Sequence, residues 1–546
     1  MTRPGPRWWP LASSLVVFLA SLLAGLRAGL RWTQGHLVYS LDDAYIHMAM
    51  AKNLARSGVW GCTPFHFSSS SSSPLWTLGL GVAYSAFGVH DATPLVINVA
   101  FAVATLVVSD RALIRFGASP FLRAAALVGL VLAFPLAGMV LMGMEHVLHL
   151  LLTIAFAALA VATAGGSEVQ GQRRRTLGLC VLAALLAASR YEGCFLVGLV
   201  CLVFLARRQL VRAVAILASA LAPLAVLGAL SVARGSFWLP NSLMLKAAGR
   251  SASLLSALLN PFGSDDLEFL RNDRAMPVLL ALGLLAAVAQ WLWRRELRRA
   301  QLLLPVLLAA MIVAHGHWVF SSEFWVYRYD GYLVGFGIFA VAVVLTDLPP
   351  RLRGRSVVPV ALLAALVAVV ADVPEGLLPA AEVAGMRNTY LEHYQTAQFV
   401  RRYYPGAVVV VNDLGAVTYY TENRILDLVG LGDVEPLRMM RGGGYDRSQV
   451  RSWTAAYRPT LAIVQLGWSL VGPLIPGEWI KVAEVEVPPD FQRVGFFAVD
   501  PAESWRLRAS VAQHFAPLAP TLGYRLKLRR AERVDQLASE AHASEP

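Results

Sequence analysis

Leu11–Leu30 (LASSLVVFLASLLAGLRAGL) and, after a short gap, Leu41–Ala55 (LDDAYIHMAMAKNLA) decide the architecture. The first is a predominantly apolar run long enough to cross a bilayer as a helix. The second opens on two adjacent carboxylates, Asp42 and Asp43, a short step beyond that span. Ionisable groups at a membrane border are costly to desolvate and mark functional positions. One carboxylate suffices to cap the helix expected over Ala44–Ala55, and Asp43 stands nearest its start. The other is left over, so at least one of the pair is a candidate for chemistry.

Working outward, 57% of the chain is hydrophobic and 15% charged, well above the apolar share of soluble domains. Apolar runs recur as far as Val373, at about 94–113, 121–141, 147–164, 176–189, 193–206, 210–233, 276–294, 301–319, 331–347 and 356–373. With the first run they predict a polytopic α-helical membrane protein of about 11 transmembrane helices. Residues 1–373 form this body, with a first outer loop over 31–93. Residues 374–546 form a separate soluble domain. The formal net charge of +12 does not signal nucleic acid, because the arginines cluster in short loops between apolar runs. Placing Arg111/Arg115/Arg123, Arg173–Arg175, Arg207/Arg208/Arg212, Arg294–Arg299 and Arg351–Arg355 inside satisfies the positive-inside rule. The N-terminus is then cytoplasmic and the C-terminal domain exterior, in the cell membrane.

A cleaved signal peptide is the wrong reading of the N-terminus, since the run is long and no small-residue cleavage site follows it. Pro74–Phe87 (PLWTLGLGVAYSAF) is too short to span and would invert every later loop, so it reads as an interfacial helix of the first outer loop. Ser68–Ser73 reads as a flexible surface stretch. The basic residues Arg525, Lys527, Arg529 and Arg530 read as a frayed tail or a contact with lipid headgroups. Cys62, Cys180, Cys194 and Cys201 form no disulfide framework.

This topology gathers the polar residues of the body on the outer side. They are Asp42 and Asp43; Glu145 and His146; Arg190, Tyr191 and Glu192; Asn241 and Lys246; and His317, Arg328 and Tyr329. A partly desolvated carboxylate serves as a general base. Arg190, Lys246 and Arg328 suit an anion such as a phosphate. Base, cations and an apolar cavity describe a site for a lipid-linked phosphate. His146 with His149, and His315 with His317, lack a third ligand at motif spacing. No cofactor is therefore implied, and a divalent metal is the lesser alternative. In the exterior domain, 407–412, 424–429, 461–465 and 479–487 read as strands and 388–403 as a helix, a small α/β layer.

Several short segments recur in order over residues 40–433: Asp42–Ile46 with Ala51–Ala55, Ser72–Trp76, Gly143–Met144–Glu145, Ser189–Gly193, Pro240–Asn241, and Asp413–Ala416 with Asp427–Leu431. In that order the chain resembles a GT-C glycosyltransferase, and within that superfamily it is most similar to bacterial arabinofuranosyltransferases of cell-wall assembly. Two elements depart from the pattern: Arg-Pro-Glu-Gly reads Arg190–Gly193 here, and Arg-Tyr-Leu reads Arg328–Tyr329–Asp330. The resemblance implies transfer, with inversion, from a polyprenyl-phosphate sugar to a cell-envelope glycan, lipid or protein outside the membrane. It places the catalytic acid in the first outer loop. Asp42 is the preferred base, since a capping Asp43 would be held ionised. The competing expectations are a flippase for lipid-linked sugars and a non-catalytic membrane scaffold.

Overall fold

A computed structural model of the chain describes residues 8–165, 171–248, 275–292, 301, 303–318, 328–346, 357–468, 471–490 and 492–533. The body begins with α1 (Trp9–Trp32), α2 (Asp43–Ser57), α3 (Pro74–Phe87) and α4 (Thr93–Arg115). It continues through α5 (Pro120–Ala133), α6 (Leu136–Leu141), α7 (His146–Gly165), α8 (Gln172–Ser189), α9 (Gly193–Ala206) and α10 (Leu210–Ala233). Further helices cover Ala275–Leu292, Leu303–Trp318, Gly331–Leu345 and Val357–Val370. Among the described residues, each apolar run expected to span contains helix. By length and composition, four of the described helices suffice to cross a membrane: α1, α4, α7 and α10. The run expected at 121–141 is broken at Phe134–Pro135 into α5 and α6, because proline offers no amide to continue the ladder.

Beyond Val370 the chain stays against the body before leaving it. A Cβ on Gly25 or Gly29 of α1 would collide with Pro379 or Met386 respectively, so this face of α1 is bare to admit the helix Ala380–Thr389. One turn of π-helix, Tyr390–Tyr394, then leads into the helix Gln395–Tyr403.

The C-terminal sheet has six strands in the order β2-β1-β3-β5-β4-β6. These are β1 (Val408–Val411), β2 (Arg424–Asp427), β3 (Leu461–Gln465), β4 (Ile480–Val487), β5 (Gln492–Ala498) and β6 (Arg525–Arg533). β1 is parallel to β2 and β3, and the rest of the sheet is antiparallel. Alternation along β1 sends Val409 and Val411 to one face and Val410 to the other. The first face packs on Phe399 and Phe515, with the Phe399 and Phe496 rings 5.3 Å apart. The expected strands β1 to β4 are present. β5 and β6 are additions, and β6 corrects the reading of Arg525–Arg530 as a loose tail. It pairs along β4, where Lys527 meets Glu486, and its charges keep the sheet edge from recruiting another strand.

Candidate active site

The two aspartates do not divide their work as expected. Asp42 immediately precedes α2, yet its side chain caps nothing there. Its oxygens accept the amides of Gly415 at 2.6 Å and Ala416 at 2.7 Å, the first turn of the helix Gly415–Tyr420 between β1 and β2. A Cβ on Gly415 would sit 2.2 Å from the Asp42 carbonyl oxygen, so only glycine allows this approach. Asp43 makes no cap either. Its side chain is 35% exposed and receives Nη2 of Arg328 at 2.7 Å. The expectation of a capping Asp43 and a free Asp42 is thus reversed: the helix start that binds a carboxylate belongs to the C-terminal domain.

Arg190 sits where α8 ends and α9 is about to begin, 4% exposed. Nη1 donates to Glu145 at 2.6 Å and Nη2 to Glu192 at 2.8 Å. Glu145 precedes α7 in a tight turn. There Gly143 has a positive φ of 74°, and a Cβ would strike the Tyr39 ring. Arg190 was expected as a phosphate ligand, but its charge is already met by two buried carboxylates. The Tyr329 ring lies beside both guanidiniums, 5.7 Å from that of Arg190 and 5.1 Å from that of Arg328. Arg328 keeps a buried Nε with no hydrogen-bond partner among the described residues.

His47, one turn beyond Asp43 on α2, links this cluster to the next feature. Its Nε2 is 3.7 Å from Glu145, and its Nδ1 contacts Thr77 at 2.8 Å and Ser71 at 3.4 Å. Ser71 lines the polar end of an apolar groove of about 940 Å³ between α3, α8 and α10. Leu78, Val181 and Val226 line it while remaining 43%, 51% and 60% exposed, and Tyr191 and Arg234 border it. The serine run is not the flexible stretch expected. Ser68, Ser70, Ser71 and Ser73 are buried, and Ser70 donates to the Leu431 carbonyl. Asn241 donates to that same carbonyl at 3.0 Å, which ties it to the C-terminal domain.

Asp43, Glu145, Arg190, Glu192, Arg328 and Tyr329 therefore come together, while Tyr191 faces the groove. His146 is buried nearby, and its Nε2 has no partner among the described residues. The side chains of Lys246 and His317 lie outside the described residues. His47, Ser71, Arg234, His393 and Asp413 are not among the site residues expected from sequence. His47 was within reach, since it follows Asp43 at helical spacing; His393 carried no local signal. His146 and His149 do not form a ligand group among the described residues, and the pair His315 and His317 cannot be placed because the His317 side chain lies outside them. Asp42, His393 and Asp413 do form such a group.

No curated protein matches the sequence. Residues 383–506 match a family described as Domain of unknown function (DUF8728). Among solved structures the chain is similar to the oligosaccharyltransferase of Archaeoglobus fulgidus in its apo form, with 12% identity and a TM-score of 0.50. That match covers 93% of this chain and 78% of the other. It is also similar to ArnT from Cupriavidus metallidurans bound to undecaprenyl phosphate, with 16% identity and a TM-score of 0.48, covering 90% of this chain and 98% of that one. At these identities the likeness to the oligosaccharyltransferase is one of architecture: the chain has the GT-C membrane fold with a C-terminal sheet domain.

Proposed function

We propose that the protein is a glycosyltransferase that moves a sugar from a polyprenyl-phosphate donor to a cell-envelope acceptor on the outer face of the cytoplasmic membrane. The observation that carries this is the continuity of the groove with the charged cluster. An apolar trough with lipid-facing walls suits an isoprenoid chain, and it ends at Ser71, which contacts His47 beside Glu145 and Asp43. A phosphate at that end would meet Arg234, which lines the groove, with Arg328 in the charged cluster beyond His47. Charge-assisted bonds of that kind stabilise a departing phosphate as its charge grows. In this reading residues 1–373 are the catalytic body, with the N-terminus cytoplasmic, and the domain from 374 onward is exterior and closes over the first outer loop.

Asp43 takes the role of base. Two backbone amides already occupy Asp42, whereas Asp43 is partly exposed and oriented by Arg328. The acceptor hydroxyl oxygen forms a bond to the anomeric carbon as the bond from that carbon to the phosphate oxygen breaks. The hydroxyl proton passes to Asp43, and the polyprenyl phosphate leaves with the electron pair. Attack opposite the leaving group inverts the anomeric centre.

A membrane assay with a panel of polyprenyl-phosphate sugars, arabinofuranosyl donors included, tests this. Asp43→Asn should lower turnover by ~10²–10⁴, the range for loss of a general base. Wild-type turnover in Asp43→Asn would remove the residue from the chemistry. Movement of donor across the bilayer without transfer would favour a flippase.

A further inference from the structure

We propose that Asp42, His393 and Asp413 form a binding site for one first-row divalent cation, Zn²⁺ or Mn²⁺, at the seam between the first outer loop and the C-terminal domain. Each residue comes from a different element: the start of α2, the π-helical turn Tyr390–Tyr394, and the loop after β1. Their ligand atoms all lie within 4.8 Å of one another. Nδ1 of His393 is 3.7 Å from Oδ1 of Asp42 and 3.7 Å from Oδ2 of Asp413. Those separations are long for hydrogen bonds. They are near the roughly 3–3.5 Å between two ligands that share an ion about 2.1 Å from each.

Two further observations point to a ligand at this place. The side chains enclose a cavity of about 20 Å³, lined also by Glu392, Asn412 and Gln465, which is room for a single ion or water. Glu392 is 3% exposed, and its Oε1 has no partner among the described residues. Its Oε2 lies 3.8 Å from Nε2 of His393, the ring nitrogen facing away from the proposed ion. A carboxylate on the far nitrogen is the usual means of orienting a metal-bound imidazole.

The charge balance asks for a cation. Asp42, Asp413 and Glu392 line the cavity, Asp43 is close by, and His393 supplies the imidazole. Carboxylate and imidazole groups ligate an ion only when deprotonated, so binding tightens as pH rises. An imidazole with carboxylates favours Zn²⁺ or Mn²⁺, and so small a space does not suit the six to eight oxygens that Ca²⁺ takes. The ion would fasten Asp42 to the C-terminal domain one residue from Asp43, a positioning role.

The test uses the full chain in nanodiscs, stripped with a chelator and titrated with Zn²⁺ by calorimetry and with Mn²⁺ by the loss of its free electron-spin-resonance signal. It needs no transferase assay, so it stands or falls apart from the proposed activity. One ion per chain is expected, binding more weakly as pH falls from 8 to 6 and raising the unfolding temperature. His393→Gln and Asp413→Asn should each weaken binding at least tenfold and abolish the thermal response. Flat titrations with both metals on the wild-type chain, or affinities unchanged in folded forms of both variants, would overturn the site in favour of a proton shared between Asp42 and Asp413. Should either variant fail to fold, the wild-type stoichiometry and its pH dependence still decide.

Discussion

Arg190 holds Glu145 at 2.6 Å and Glu192 at 2.8 Å in a pocket where it is itself 4% exposed. Two anions on one buried cation make the triad sensitive to truncation, because removing the guanidinium takes from both buried carboxylates the cation that neutralises them. Arg190→Met should cost ~3–5 kcal/mol of stability. Arg190→Lys keeps the charge but loses the planar fork that reaches two carboxylates at once, so it should fall between. Thermal unfolding in nanodiscs measures both. A rise in donor KM without loss of stability in Arg190→Lys would return this residue to the donor site. From sequence Arg190 reads as a cation open to a phosphate. What the sequence could not show was that the neighbouring Glu192 and the distant Glu145 had already claimed it.

At the scale of elements, α2 grips the helix Gly415–Tyr420 at both ends. Asp42 accepts its first amides, and the ammonium of Lys52, 3% exposed, donates to the carbonyls of Thr418, Tyr419 and Thr421 at 2.8–3.1 Å. Negative charge at the amide end and positive charge at the carbonyl end both suit the helix dipole. A helix of six residues has little stability of its own, so this grip decides whether the seam closes. Lys52→Met keeps most of the stem and removes the donor, which leaves buried carbonyls unpaired. A loss of about 1–3 kcal/mol is expected, with faster proteolysis between the body and the sheet. Unchanged cleavage and unfolding would show that Lys52 does not hold the seam. Four strands were legible because β1 and β3 are apolar runs and β2 and β4 carry apolar residues between turns. β6 was not, since its charged residues suit an edge position as well as a solvated tail.

For the molecule as a whole, the arginine-rich loops predict an exterior C-terminal domain, as the groove and the charged cluster require if both serve one outer-face site. An alkaline phosphatase fused after Pro546 should be active and a fluorescent reporter at the same place dark. The opposite result would put the sheet domain in the cytoplasm and separate it from any donor used outside. The seam requires the segment around Asp42 and the C-terminal domain to share one side of the membrane, because the partners of Asp42 lie 373 and 374 residues downstream.

By itself the sequence determined the class of architecture. Hydropathy and arginine placement are local signals, which is why the helical runs and the sheet domain could be read directly, and the paired aspartates marked the first outer loop. Only the tertiary structure decided which aspartate is taken up by backbone amides, which arginine is already neutralised, and that Ser68, Ser70, Ser71 and Ser73 are buried. Each of these depends on a partner far away in the chain: Gly415 for Asp42, Glu145 for Arg190, Leu431 for Ser70. A side chain's own neighbours set its helix or strand. Its availability for chemistry is set by whatever folding brings within hydrogen-bond distance, and no local pattern encodes that.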